Sequence, residues 1–136
     1  MEAVEQLLAE SSIRSLIGRV ALLGDVGAPE DYASVYADDA VWEFGSARDD
    51  GIDAIIESAR KRRATGTSGP GSGSKHVVTV MDLVLLDSNH ARVTSYFVFY
   101  TGTSGQAAIG PVGTYSDEVA RHNGTWKITR RLSTVG

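Results

Sequence analysis

The chain has 136 residues, 42% of them apolar and 22% charged, with a formal net charge of -4. That length suits one domain with a single core, spanning residues 1–136, and excludes two comfortable ones. The mildly acidic balance offers no electrostatic ground for binding nucleic acid, and the absence of cysteine removes disulfides, thiolate nucleophiles and cysteine-ligated zinc.

Met1-Glu2-Ala3-Val4-Glu5 lacks the basic start and apolar stretch of a signal peptide, and no apolar run approaches the roughly 18 residues of a membrane span. The expectation is a cytoplasmic protein without membrane segments, consistent with a cysteine-free chain in a reducing compartment.

Ile13, Leu16, Ile17, Val20 and Leu23 recur at helical spacing, which predicts a first helix with one apolar stripe. Gly24-Asp25-Val26-Gly27 should break it, since glycine is a poor interior helix residue and a favoured C-terminal cap. Pro29, Glu30 and Asp31 suit the first turn of a second helix, with Tyr32, Val35 and Tyr36 as its apolar face and Asp38-Asp39 as its end.

Ala40 to Phe44 alternates as a strand, with Trp42 and Phe44 on one side, and Gly45 to Gly51 reads as a polar turn. Ile52, Ile55, Ile56 and Ala59 mark a third helix that finishes in Arg60-Lys61-Arg62-Arg63. Thr65 to Ser74 is a Gly/Ser segment predicted to form a mobile loop with nothing to anchor it to a core.

From Lys75 the pattern becomes β: His76 to Leu86, Ala91 to Thr101, Ile109 to Arg121 and Thr125 to Thr134 read as strands. His122-Asn123-Gly124 is the tightest hairpin signal, because Asn-Gly tolerates the positive φ angles of a type I′ turn. Helices first and consecutive antiparallel strands afterwards predict an α+β domain, a curved sheet with helices on one face. Either Val78 and Val80 or Val77, Thr79 and Met81 must face outward with no helix left to cover them, so a homo-oligomer, dimer or trimer, is expected.

The order of elements and several strings resemble the nuclear transport factor 2-like superfamily, in its SnoaL-like branch. Those strings are Ser12-Ile13-Arg14 opening the first helix, Tyr36-Ala37-Asp38-Asp39-Ala40-Val41-Trp42, Gly113-Thr114-Tyr115, and Asn123-Gly124-Thr125-Trp126-Lys127-Ile128. The resemblance implies a cystatin-like α+β barrel: a cone-shaped, mostly antiparallel sheet with about three N-terminal helices closing a pocket.

Within that branch the chain is similar to the scytalone dehydratase and hexachlorocyclohexane dehydrochlorinase set, whose lyases carry an Asp at the break after the first helix and a His opening the long β region. Asp25 and His76 match those positions, and Arg131 stands five residues after Trp126, as an Arg does in the dehydrochlorinase. Dehydratases of the set use a second His and a Tyr beside the Asp; those places hold Phe97 and Gly24 here, which points away from scytalone-type dehydration.

Two readings stand for each candidate. Asp25 either orients a histidine and balances its imidazolium or accepts backbone N–H bonds at a helix break. His76, the only histidine predicted to begin a strand, is either a general base or a hydrogen-bonded strand residue. Arg131 either holds a substrate anion or is surface charge, and adjacent Arg130 must point to the other face of the strand.

Trp42, Phe44, Phe97, Phe99 and Tyr115 are either a substrate-binding aromatic wall or plain core. His90 and His122 fall in turns, and no histidine pair has metal-ligand spacing, so no metal site is expected. The Gly69 to Lys75 segment has the wrong order for a phosphate loop, and Asn123-Gly124-Thr125 is explained by its hairpin.

The expected function is a cofactor-independent lyase or isomerase of dehydratase, dehydrochlorinase or cyclase type. Asp25 and His76 would abstract a proton from a small apolar aromatic or alicyclic compound, with Arg131 or Tyr115 steadying the negative charge. The rivals are a non-catalytic binding protein for hydrophobic molecules and a small structural subunit of a larger oxygenase.

Overall fold

The computed structural model describes residues 1–136. The elements run α1 (Ala3–Val26), a 3-10 helix (Pro29–Ser34), β1 (Tyr36–Phe44), β2 (Ala47–Asp50), α2 (Ile52–Ala64), β3 (Lys75–Leu85), β4 (His90–Thr101), β5 (Ala108–His122) and β6 (Thr125–Val135). The six strands form one sheet in the order β2-β1-β6-β5-β4-β3, antiparallel throughout except for the β1–β6 pair. This is the α+β arrangement with helices on one face of a mostly antiparallel sheet.

α1 begins well before Ser12-Ile13-Arg14, which lies mid-helix and does not open it. The Ala, Glu, Leu and Gln residues between Ala3 and Glu10 are strong helix formers, and they extend the helix without being buried, Ala9 excepted. At the other end the helix runs through Gly24 and Asp25, so Asp25 occupies the last turn and not a break beyond it. Ala9, Ile13, Leu16, Ile17 and Val20 are its buried stripe, packed with Ile128, Trp126, Val119 and Val93 of the sheet.

The second predicted helix is only a 3-10 turn. Pro29 starts it, the Asp31 carboxylate accepts the Ala28 N–H at 2.9 Å, and it stops at Ser34. Val35 and Tyr36 leave the helical path because β6 captures them: Ile128 N–H donates to the Val35 carbonyl at 2.8 Å, and Tyr36 pairs with Ile128 in the parallel ladder. Asp38 and Asp39 therefore lie inside β1, where the register with β6 slips between Tyr36 and Val41 and lets both carboxylates remain in water.

The predicted polar turn at 45–51 contains β2, hairpinned to β1, with Arg48 bonded to both Asp50 and Glu43. The Gly/Ser segment is anchored after all, by hydroxyls and not by apolar side chains. Ser68 and Ser74 are buried, Ser74 Oγ donates to the Thr67 carbonyl at 3.3 Å, and Thr103 N–H donates to the Gly73 carbonyl at 2.9 Å. Asn123 and Gly124 both take positive φ, 51° and 76°, as the type I′ hairpin requires.

On β3, Val78 and Val80 turn toward the core, while Val77 and Met81 are about half exposed on the outer face. No helix is long and apolar enough to cross a membrane.

Candidate functional site

The inner face of the sheet sets the site. His76 follows the β3 alternation that sends Val78 and Val80 inward, and Phe99 stands opposite it on β4. The last turn of α1 brings Asp25 over the start of β3, where its carboxylate binds His76 twice. Both oxygens accept the His76 backbone N–H at 3.1 Å, and Oδ1 lies 2.7 Å from the ring Nδ1.

A carboxylate acceptor at Nδ1 favours a proton on that nitrogen. The Asp25 side chain is 9% exposed and that of His76 is 23% exposed, so the acid is enclosed while the imidazole retains access. Arg63 of α2 fixes the turn that carries Asp25, donating to the carbonyls of Leu23 at 2.9 Å and Gly27 at 2.8 Å.

Arg131 is placed differently from a free anion binder. It is buried on β6 directly across from Asp117 of β5, and its Nε and Nη2 donate to the two carboxylate oxygens at 2.8 and 2.9 Å. Burial opposes the guanidinium charge, but the Asp117 carboxylate outweighs it and raises the Arg131 pKa above its usual value. The guanidinium also stacks 3.8 Å from the centre of the Tyr115 ring, and Nη1 is not engaged by Asp117. Arg130 points outward to Glu43 at 2.7 Å.

His76, Arg131, Tyr115 and Trp42 share one small cavity of about 20 Å³ with Val20, Ala21, Gly24, Tyr32 and Tyr36. The other three aromatics do not line it: Phe97 stacks behind Tyr115 at 4.5 Å, Phe99 packs on His76 at 4.8 Å, and Phe44 packs on Trp42 at 5.2 Å. They buttress the wall. Trp42 is held by its indole N–H, which donates to Ser133 Oγ at 2.9 Å, and by Arg62 of α2, 5.1 Å above its ring.

Tyr32, Tyr36 and Asp117 belong to the site without being singled out for it by the sequence. Tyr32 and Tyr36 have helical spacing, which predicts a helix face, although Tyr36, Ala40, Trp42 and Phe44 also fit a two-residue period interrupted only at Asp38. Asp117 carries a usable signal, since it follows Tyr115 by two residues on an alternating strand and so must share its face. Burial raises the pKa values of Tyr36 and Tyr115, with Arg131 opposing, so both phenols stay protonated donors.

A larger groove of about 710 Å³ lies elsewhere on the surface, lined by Asp38, Asp39, His122 and Lys127 among others, but no acid there contacts a base. His90 and His122 are exposed. No group of three or more His, Cys, Asp and Glu side chains is placed to hold a metal ion.

Solved structures of the same shape carry different names. The chain superposes with a TM-score of 0.79 and 18% identity on a putative scytalone dehydratase from Novosphingobium aromaticivorans, covering 99% of this chain and 89% of that one. LinA gives 0.83 and 18%, covering 100% and 91%. The β subunit of a putative aromatic-ring-hydroxylating dioxygenase from Novosphingobium aromaticivorans gives 0.77 and 14%, covering 96% and 90%.

At these identities the likeness is one of fold, which is described as cystatin-like in a further solved structure. No curated protein matches the sequence significantly. The SnoaL-like domain model, however, matches residues 5–132, from α1 through most of β6, and so takes in the helix that carries Asp25, the strand that carries His76 and the floor formed by Asp117 and Arg131: the chain belongs to the SnoaL-like domain family.

Proposed function

We propose that this protein is a cofactor-independent enzyme of the lyase or isomerase type, in which His76 Nε2 takes a proton from a small, largely apolar ring compound. Asp25 keeps the imidazole in the tautomer that leaves Nε2 free and balances the charge once the proton arrives. Arg131 Nη1 and the Tyr115 hydroxyl are the donors available to the oxygen or leaving group that gains negative charge. Trp42 and the aromatic side chains behind it exclude water and strengthen each of these interactions.

The observation that carries this reading is the 2.7 Å contact between His76 Nδ1 and Asp25 Oδ1 beside an aromatic cavity. The family and the fold shared with a putative scytalone dehydratase and a hexachlorocyclohexane dehydrochlorinase support the reaction type. A self-association partner would cover the outer face of β3 to β5, where Val77, Met81, Tyr96 and Val112 are exposed.

A second reading is favoured by the cavity itself. About 20 Å³ is far below the roughly 300–1,000 Å³ of ordinary ligand pockets, so a ring compound enters only if Trp42 or its neighbours rotate. A nearly filled cone suits a structural subunit of a larger assembly, and the β subunit of a putative aromatic-ring-hydroxylating dioxygenase has the same fold.

The test is incubation without added cofactor with hydroxylated cyclic ketones and chlorinated cyclohexanes, following loss of water or hydrogen chloride by mass spectrometry. Turnover that disappears in a folded His76→Ala variant supports the enzyme. Full activity in that variant refutes the base, and stable co-purification with a larger subunit, without turnover, supports the second reading.

A further inference from the structure

The floor of the cone contains a donor that the proposed proton transfer does not use. Tyr36 is 0% exposed, its ring stacked on Trp42 with centroids 6.2 Å apart and set edge-on to Tyr32 at 5.6 Å. Its hydroxyl is buried without a hydrogen-bond partner, although the residue lines the same cavity as His76 and Arg131. Buried hydroxyls in native proteins are almost always partnered, so an unpartnered one beside a cavity marks where a ligand atom belongs.

The chemistry of that atom follows from what surrounds it. Burial keeps the phenol protonated, so Tyr36 offers a proton and needs an acceptor. Arg131 supplies a second N–H through Nη1, but its charge is already neutralised by the bidentate, fully enclosed Asp117 carboxylate. A ligand carboxylate would bring a second buried negative charge beside Asp117 with no cation left to match it. A neutral acceptor oxygen fits without that cost.

We infer that Tyr36 is a ligand-contacting donor that selects neutral carbonyl compounds, the carbonyl oxygen seated against the Tyr36 hydroxyl and Arg131 Nη1 and the ring directed toward His76. Tyr36 and Arg131 both line the existing cavity of about 20 Å³, and the oxygen and ring occupy space opened when the aromatic wall moves. This inference rests on reading the cone as a small-molecule site, and it is independent of whether His76 acts as a base.

The experiment titrates the protein with cyclohexanone, methylenecyclohexane and cyclohexanecarboxylate and follows backbone amide shifts by NMR. Cyclohexanone is expected to bind about two- to tenfold more tightly than methylenecyclohexane, the worth of one net hydrogen bond, with the carboxylate weakest. Tyr36→Phe should shrink that preference to the Arg131 share while leaving methylenecyclohexane unchanged, and His76→Gln should retain it in full, which separates this claim from the fate of the base.

Because Tyr36→Phe could impair folding, a second measurement uses the wild-type protein alone: the carbonyl ¹³C resonance of labelled cyclohexanone should move downfield on binding. No preference for the ketone, including no binding of either neutral probe, overturns the inference. So does a preference undiminished by Tyr36→Phe, an unmoved carbonyl resonance, or tightest binding of the carboxylate.

Discussion

Two carboxylates enter the inner face of this cone, and each meets a nitrogen base, but the two pairs behave oppositely. Asp117 and Arg131 are joined by two hydrogen bonds with side chains only 0% and 3% exposed, and a guanidinium does not lose its proton at any working pH. Asp25 and His76 share one short ring contact and the His76 backbone N–H, and the imidazole is partly open to the cavity and solvent. The floor pair is thus a locked element of the core, whereas the pair at the end of α1 keeps one partner open to the cavity.

The largest expected effect comes from breaking the locked pair. Asp117→Leu leaves a buried, unpaired guanidinium and should cost about 3–5 kcal/mol in chemical denaturation. The double variant Asp117→Leu/Arg131→Met should regain most of that loss, because a buried ion pair contributes little beyond well-packed apolar groups of similar volume. If Asp117→Leu alone were neutral, the floor would not be the closed pair described above.

Breaking the adjustable pair has a smaller structural effect and a larger chemical one. Asp25→Asn keeps the shape and loses a charge-assisted contact, a loss of about 1.5–3 kcal/mol in stability. Turnover should fall further, because the amide no longer enforces the Nδ1–H tautomer. An unfolding midpoint changed as much as by Asp117→Leu would make Asp25 a structural carboxylate.

Alkaline pH sharpens the contrast on the floor. The folded Tyr36 pKa is raised by burial, whereas the phenol of an unfolded chain ionises near 10. Its contribution to stability is therefore complete below about pH 10 and is lost as pH rises from there toward the folded value. Tyr36→Phe should flatten this alkaline decline measured by thermal unfolding from pH 8 to 11, leaving the smaller share of Tyr115, which is shifted in the same direction.

The smallest effect belongs to Gly24→Ala. A Cβ there would stand 3.1 Å from the Tyr32 hydroxyl, a tight but adjustable contact. Better helix propensity, worth up to about 1 kcal/mol, offsets the crowding, so stability should barely move while the Tyr32 ring resonances shift.

Much of this architecture is legible in the sequence because it follows from local periodicity. The α1 stripe from Ile13 to Leu23, the alternation on β3 and β4, and the Asn123-Gly124 turn each need only neighbouring residues to be read. What escapes depends on long-range pairing. Tyr36 carries helical spacing and becomes a strand residue only because β6 lies beside it, and the slip at Asp38-Asp39 hides the two-residue period that would place it with Trp42.

The partner of Arg131 is hidden for the same reason: Asp117 and Arg131 face each other through the register of β5 against β6, which no local pattern specifies. The loop at 65–74 lacks apolar anchors, and hydroxyl bonds of the Ser72 and Ser74 kind leave no periodic trace. Asp25 and His76 could be singled out one by one, by position and residue type, but only the fold brings them within 2.7 Å.

The central claim, that Asp25 holds His76 with Nε2 free for a proton, is tested most directly by ¹⁵N NMR of the labelled imidazole above neutral pH. The account predicts a pyrrole-like Nδ1 coupled to a proton in a hydrogen bond and a pyridine-like Nε2, with the preference weakened in Asp25→Asn. A His76 ring protonated at Nε2, or one indifferent to Asp25→Asn, would contradict it.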